Sequence, residues 1–162
     1  MKTLSKDQLS KIRYDPDTGV FTWAVPAGSA GAGRVAGCVN RKGYRQIRLG
    51  GGLHSAHRLA WLITYGAWPS GDIDHINGNK DDNRLENLRD VASTINMQNQ
   101  RGPHKSNNSG LLGVDYHKAS HKWRAQIRLD GKKHQLGLFD TAEDAHTAYR
   151  CAKRSLHAGC TI

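Results

Sequence analysis

Between Arg101 and Ser109 the chain reads RGPHKSNNS, nine residues without a Leu, Ile, Val, Met, Phe, Tyr or Trp. Gly, Pro, Ser and Asn favour turns and open backbone, so the stretch reads as a linker that separates residues 1–100 from residues 110–162. A chain of 162 residues cut at this point supports two small cores in place of one large one. The expected class is α+β on both sides of the cut.

In the first segment, Ser5 and Gln8 have capping-box spacing, and Leu9 and Ile12 follow one turn apart, which predicts a short N-terminal helix. Asp15-Pro16-Asp17-Thr18-Gly19 predicts a turn. Short β-prone runs come next at Val20 to Trp23, Tyr44 to Leu49 and Leu53 to Ala56, separated by glycine-rich stretches. One of these, AGSAGAGRVAG at 27–37, lacks the GK[ST] ending of a phosphate-cradling loop, and no helical pattern follows it, so it reads as a flexible hairpin loop. HRLAWLITY at 57–65 predicts a buried helix stopped by Gly66 and Pro69.

Beyond the linker, Leu112, Val114 and Tyr116, then Trp123, Ala125, Ile127 and Leu129, alternate with polar residues as two strands do. Lys133 to Phe139 predicts a third strand, with Asp130-Gly131 as a hairpin turn. Thr141 and Asp144 have capping-box-like spacing, and Ala145, Ala148, Tyr149, Ala152 and Leu156 form a helical stripe. Three strands and a helix are expected.

The chain carries 24 Lys and Arg against 14 Asp and Glu, a net charge of +10, which points to a polyanionic partner such as nucleic acid. Both segments share the excess: residues 1–100 hold 13 basic and 9 acidic side chains, residues 101–162 hold 11 and 5. No apolar run reaches the ~20 residues that span a bilayer, and MKTLSKDQLSKI lacks a signal-peptide core, so a soluble intracellular protein is expected. Cys38, Cys151 and Cys160 form no CxxC pair and are read as reduced packing residues.

Against that positive background stands DIDHINGNKDDNRLENL, residues 72–88, with five acidic residues, four asparagines and one histidine. Aligned as an EF-hand loop on Gly78, it would put Ile73, His75 and Arg84 where oxygen ligands belong, and a zinc site would need more than the lone His75. A solvated loop stays open on composition alone. The chemical alternative rests on Asp74 and His75: neighbours at a strand end face opposite ways, so one can hold a metal while the other meets a nucleophilic water. Asn96 can add an amide oxygen to that metal, and Asn87 can brace the loop that orients His75.

His57-Arg58-Leu59, Asp74-His75-Ile76-Asn77-Gly78-Asn79, Asn83, Asn87-Leu88 and Asn96 together resemble the HNH endonuclease family, in particular its phage- and intron-encoded homing members. The resemblance spans most of residues 14–100, including YDPDTGVFTW. It implies a ββα-metal, or His-Me finger, nuclease domain, with Asp74 and Asn96 as ligands of one divalent cation, His75 as general base and Asn87 as loop support. Asn96 stands where many members have histidine, and the resulting oxygen-only pair favours Mg²⁺ or Mn²⁺ over Zn²⁺. His57 is read as a structural cap or core residue and Arg58 as a phosphate contact. Asp81, Asp82 and Glu86 are read as loop charges or as partners of Lys80 and Arg84.

In the second segment, alternation turns Arg124, Gln126 and Arg128 outward from the predicted sheet. Gly113-Val114, KWRAQIR at 122–128, LGLFDTAEDA at 136–145 and Ala148-Tyr149 resemble the Apetala, or ethylene-response-factor, DNA-binding domain over Ser109 to about Gly159. The resemblance puts Asp115, His117, Gln126, Arg128, Lys133 and Gln135 on a DNA-facing sheet. Leu112, Asp115 and Gln135 depart from the plant pattern of Arg, Arg and Trp, so no target sequence transfers.

The expected protein is therefore a divalent-metal-dependent endonuclease acting on double-stranded DNA, with a nuclease domain at 1–100, a linker at 101–109 and a DNA-binding domain at 110–162. Its compartment would be the cytoplasm, that of the host cell if the gene is a phage gene. No membrane and no obligatory protein partner are expected. The alternative is a non-catalytic DNA-binding regulator; RNA binding ranks third.

Overall fold

The computed structural model describes residues 4–103 and 107–161, so part of the expected linker, 104–106, lies outside the described residues. By its contacts the chain divides into two compact units, Met1–Ala92 and Ser93–Ile162. The class is mixed α+β, with small antiparallel sheets in each unit.

In the first unit, α1 (Lys6–Leu9) starts at the Ser5–Gln8 capping box, in which Gln8 N donates to Ser5 Oγ at 3.2 Å and Ser5 N donates to Gln8 Oε1 at 3.0 Å. It ends earlier than its spacing predicts. Ile12 opens strand β1 (Ile12–Tyr14) and pairs with Trp23 of β2 (Phe21–Trp23), because a β-branched and an aromatic residue gain more from pairing across the DPDTG turn than from another helical turn. Strands β3 (Cys38–Val39), β4 (Arg45–Leu49) and β5 (Gly52–Ser55) form a second antiparallel sheet. Helix α2 (Ala56–Tyr65) follows directly and stops at Gly66, whose φ of 74° supplies the left-handed cap. It buries Ala56, His57, Leu59, Ala60 and Leu62 against a core that includes Phe21, Ile47 and Ile73.

The hairpin that carries the acidic segment consists of β6 (Asp72–His75) and β7 (Leu88–Val91), paired from Asp72↔Val91 to His75↔Leu88. It is anchored before β6: Asp90 accepts the amides of Ser70 at 2.8 Å and Gly71 at 2.7 Å, and Arg58 donates to the carbonyls of Gly71 and Pro69 at 3.0 and 3.4 Å.

The second unit begins with α3 (Ser93–Gln98), which belongs here because Gly159 N donates to Gln98 Oε1 at 3.0 Å and Thr161 Oγ1 donates to Asn99 Oδ1. Strands β8 (Val114–His117), β9 (Lys122–Leu129) and β10 (Lys132–Phe139) form an antiparallel sheet in the order β10-β9-β8. Asp130 and Gly131 make the β9–β10 turn with φ of 47° and 79°. Helix α4 (Ala142–Leu156), capped by Thr141, covers one face and packs Ala145 and Tyr149 on Val114, Ala125 and Ile127. The cysteines are free, but Cys38 and Cys151 are exposed and do not pack as the sequence reading expected. Among the described residues no helix is long and apolar enough to cross a membrane.

Candidate active site

Asp74 and His75 close strand β6, and both are buried, at 6% and 4% exposure. The alternation of the strand turns them to different surroundings. Asp74 meets Arg89, its cross-strand partner, whose Nε and Nη2 both donate to Oδ2, at 2.9 and 2.7 Å. His75 lies among Tyr44, His57 and Asn83: the His57 ring stands edge-on at a centroid distance of 5.1 Å, and Tyr44 lies at 6.0 Å.

Asn83 is the most buried polar side chain of the loop, at 1% exposure. Its Nδ2 donates to the Asp81 carbonyl at 3.0 Å, so the amide turns Oδ1 towards His75 Nε2, at 3.5 Å. The contact is long and engages the ring at Nε2. Burial lowers the His75 pKa below the usual imidazole value; the Asn83 contact and nearby Asp74 oppose that shift. Burial pushes His57 down to about 3, with His75 and Arg58 adding to the effect. His57 Nδ1 has no hydrogen-bond partner among the described residues.

The loop from Ile76 to Asn87 is held at both ends and in the middle. Asn87 is buried, accepts Asn77 N at 2.9 Å through Oδ1 and donates Nδ2 to the Asp82 carbonyl at 2.8 Å. Asp82 accepts Arg84 Nε at 2.9 Å and Nη2 at 2.8 Å, and that guanidinium holds its carboxyl down at about 2. Glu86 pairs with Arg84 at 2.6 Å, as the sequence reading allowed. Asp81 instead takes a bidentate contact from Arg45 of β4, at 2.9 Å on each oxygen. Lys80 lies over the Tyr44 ring at 4.9 Å and donates to the Lys42 carbonyl. Tyr14 Oη donates to the Asn83 carbonyl at 2.8 Å, and Leu85 N donates to the Pro16 carbonyl at 2.9 Å, which joins the DPDTG turn to the loop.

Of the residues singled out in the sequence, Asp74, His75 and Asn87 meet at this hairpin and its loop, and Arg58 of α2 braces the turn before it. Asn96 is on α3, in the second unit. Asn83 and Tyr44, which touch His75 or its neighbours, had no role assigned in the sequence, and His57 had only a structural one. Asn83 carried a signal as part of the quoted run; Tyr44 carried none, since its contact with His75 spans 31 positions.

Among the described residues no three His, Cys, Asp or Glu side chains gather as metal ligands. Asp74 is a buried carboxylate, an oxygen donor of the kind that suits a hard divalent cation.

On the second unit, Arg124, Gln126 and Arg128 alternate with the buried Ala125 and Ile127, away from α4. Cross-strand register sets His117 beside Lys122, Asp115 beside Arg124, Gln135 beside Gln126 and Lys133 beside Arg128 on that outer face.

Residues 54–98 match the family described as HNH endonuclease. The chain is also 36% identical over 118 residues to "Protein 3.8" of Escherichia phage T7, an alignment that covers 72% of this chain and 93% of that protein. No solved structure matches.

Proposed function

Because the chain belongs to the family of phage T7 Protein 3.8 and carries an HNH endonuclease segment at 54–98, we propose that it is a divalent-metal-dependent endonuclease of homing type, hydrolysing phosphodiester bonds of double-stranded DNA. The observation that carries this reading is the buried pair at the end of β6, with His75 and Asp74 on opposite sides of one strand and the loop beyond them pinned by Asn87.

His75 takes the proton of the attacking water. Burial keeps the ring neutral at pH 7, which is the state a general base needs. Asn83 contacts the ring at Nε2 and Asn87 fixes the loop, so little reorganisation accompanies proton transfer. Asp74 and Asn96 would hold one Mg²⁺ or Mn²⁺; the assignment of Asn96 rests on the family resemblance. Bound there, the cation would neutralise charge growing on the scissile phosphate and the leaving oxygen.

The second unit, as a domain resembling the Apetala type from about residue 110, would bind duplex DNA through His117, Arg124, Gln126, Arg128, Lys133 and Gln135, with Arg58 of the first unit as a phosphate contact. The compartment that follows is the host cytoplasm. The second reading, a non-catalytic DNA-binding regulator, has the Asp74–Arg89 pair in its favour, since that pair compensates the carboxylate with protein alone.

Supercoiled DNA incubated with Mg²⁺, Mn²⁺ or chelator tests the choice. Wild type is expected to nick or linearise it with either metal and not with chelator, and His75→Ala to lose roughly 10²- to 10⁴-fold in rate while binding DNA as before. Inactive wild type with both metals across a broad DNA library selects the regulator.

A further inference from the structure

On the outer face of the C-terminal sheet, Asp115 of β8 holds two side chains of β9. Arg124 donates Nε to Asp115 Oδ1 at 3.1 Å and Nη2 to Oδ2 at 2.5 Å, and Gln126 Nε2 donates to Oδ1 at 3.1 Å. Resting on the reading that this face binds duplex DNA, we propose that Asp115 is a specificity-determining residue, which orients Arg124 to read a guanine and withholds its charge from the phosphates.

The geometry supplies the argument. A guanidinium has five N–H donors, and a side-on carboxylate contact through Nε and Nη2 leaves the end-on edge, Nη1 and the second N–H of Nη2, pointing away from the acid. Among the described residues nothing else accepts from Arg124. That edge is a parallel pair of donors, the pattern that matches O6 and N7 of guanine in the major groove. Gln126 keeps its carbonyl and one N–H for a neighbouring base. The side chain of Arg124 is 30% exposed and that of Asp115 is 40% exposed, so the pair is reachable from the face while its rotamers are already fixed. Fixing them beforehand removes ordering cost from binding and improves discrimination.

Charge complementarity names the occupant. Lys122, Arg124, Arg128 and Lys133 turn outward along β8–β10, where Asp115 pairs with Arg124 and Asp140 with Lys122, so the face keeps a positive excess that attracts a polyanion. Asp115 weakens this attraction from within the sheet itself. Its retention on the face makes sense if it trades phosphate affinity for base selectivity, because phosphate contacts position a protein while base contacts specify its site.

The test is binding selection by the full chain, in chelator so that DNA stays intact, from a pool of random-sequence duplexes, with salt titrations on the pool. Wild type should enrich guanine at a fixed position by roughly 5- to 150-fold, the discrimination of one bidentate contact. Asp115→Asn keeps the side chain's shape and frees one positive charge. It should lose most of that enrichment while binding the unselected pool more tightly, with a salt dependence steeper by roughly 0.9 in log–log slope. Arg124→Lys should lose the enrichment with pool affinity kept. Asp115→Asn retaining the wild-type guanine preference, or weakening binding to all sequences alike, overturns the proposal while leaving DNA binding intact. Wild type that binds no duplex, or prefers single-stranded RNA, overturns the DNA reading itself.

Discussion

Asp74 and Arg89 face each other across the β6–β7 hairpin, and both guanidinium contacts, at 2.9 and 2.7 Å, fall on one carboxylate oxygen. The acid is 7% exposed and the base 26% exposed, so the pair is buried at the end that matters for hydration. A buried charge that loses a bidentate guanidinium partner is costly even where the pair itself contributes little. Arg89→Ala is therefore expected to destabilise the protein by about 2 kcal/mol, discounted from the full buried-pair cost because Arg89 reaches solvent. The double variant Asp74→Asn with Arg89→Ala should recover much of that loss in urea unfolding. Additive losses in this cycle would mean that the two side chains do not interact as the geometry requires.

Asn87 satisfies two backbone groups that nothing else in the loop reaches in these contacts, the amide of Asn77 and the carbonyl of Asp82. Asn87→Ala leaves both without this partner at part-buried positions, at a cost of about 1 kcal/mol for each bond lost. The loss should be local. Hydrogen exchange is expected to show Asn77 and Gly78 amides losing protection while Ile47 and Leu49 in β4 keep theirs, and cleavage should fall with the loop. Uniform loss of protection across the first unit would instead make Asn87 a general core residue.

Two neutral histidines in one core give stability a pH dependence. The folded pKa of His57 is about 3 against 6.5 for the free group, and His75 is shifted in the same direction. Between the folded and unfolded values the unfolded chain binds the extra proton, so stability is complete above pH 6.5 and falls as pH falls. The slope is at most about 1.4 kcal/mol per pH unit for each histidine. Denaturation in chelator between pH 6.5 and 4.5 isolates this effect from the carboxylates, and His57→Phe should flatten the curve. A flat wild-type curve over that window would contradict the neutral, buried state of both rings.

The features that were readable in the sequence are those whose partners lie close along the chain. Thr141 caps α4 by accepting Asp144 N three residues on, Asp130-Gly131 turns β9 into β10, and Gly66 stops α2; each is a local contact with a residue-type signature. The adjacency of Asp74 and His75 on a strand is likewise local, and its opposite-facing geometry follows from strand alternation. What composition and spacing could not carry are pairings across distance: Asp81 with Arg45 spans 36 positions, Tyr14 with Asn83 spans 69, and His57 meets His75 ring to ring from another element. Ile12 failed the same way, because its helical spacing with Leu9 competes with a strand partner at Trp23 that no local pattern reveals. Asp115 was legible as a position on the expected DNA-facing sheet and as a departure from the family pattern, but its contacts with Arg124 and Gln126 were not.

The DPDTG turn lies close against the loop that follows β6. Gly19 has φ of 72°, and a Cβ there would lie 2.4 Å from Arg84 N and 2.6 Å from Asn83 C, both backbone atoms. Gly19→Ala must therefore push the turn away from the loop as well as strain its own backbone, and the segment it displaces is the one that turns Asn83 towards His75. Gly33→Ala is the matched control, with φ of 81° and nothing within 4 Å of the added methyl. The control should lose about 1 kcal/mol of stability from backbone strain alone. Gly19→Ala should lose several-fold more, and in the fraction that remains folded its cleavage rate should drop while binding of uncut duplex in chelator stays at the wild-type level. Equal behaviour of the two variants in both assays would break the link between this turn and the orientation of His75.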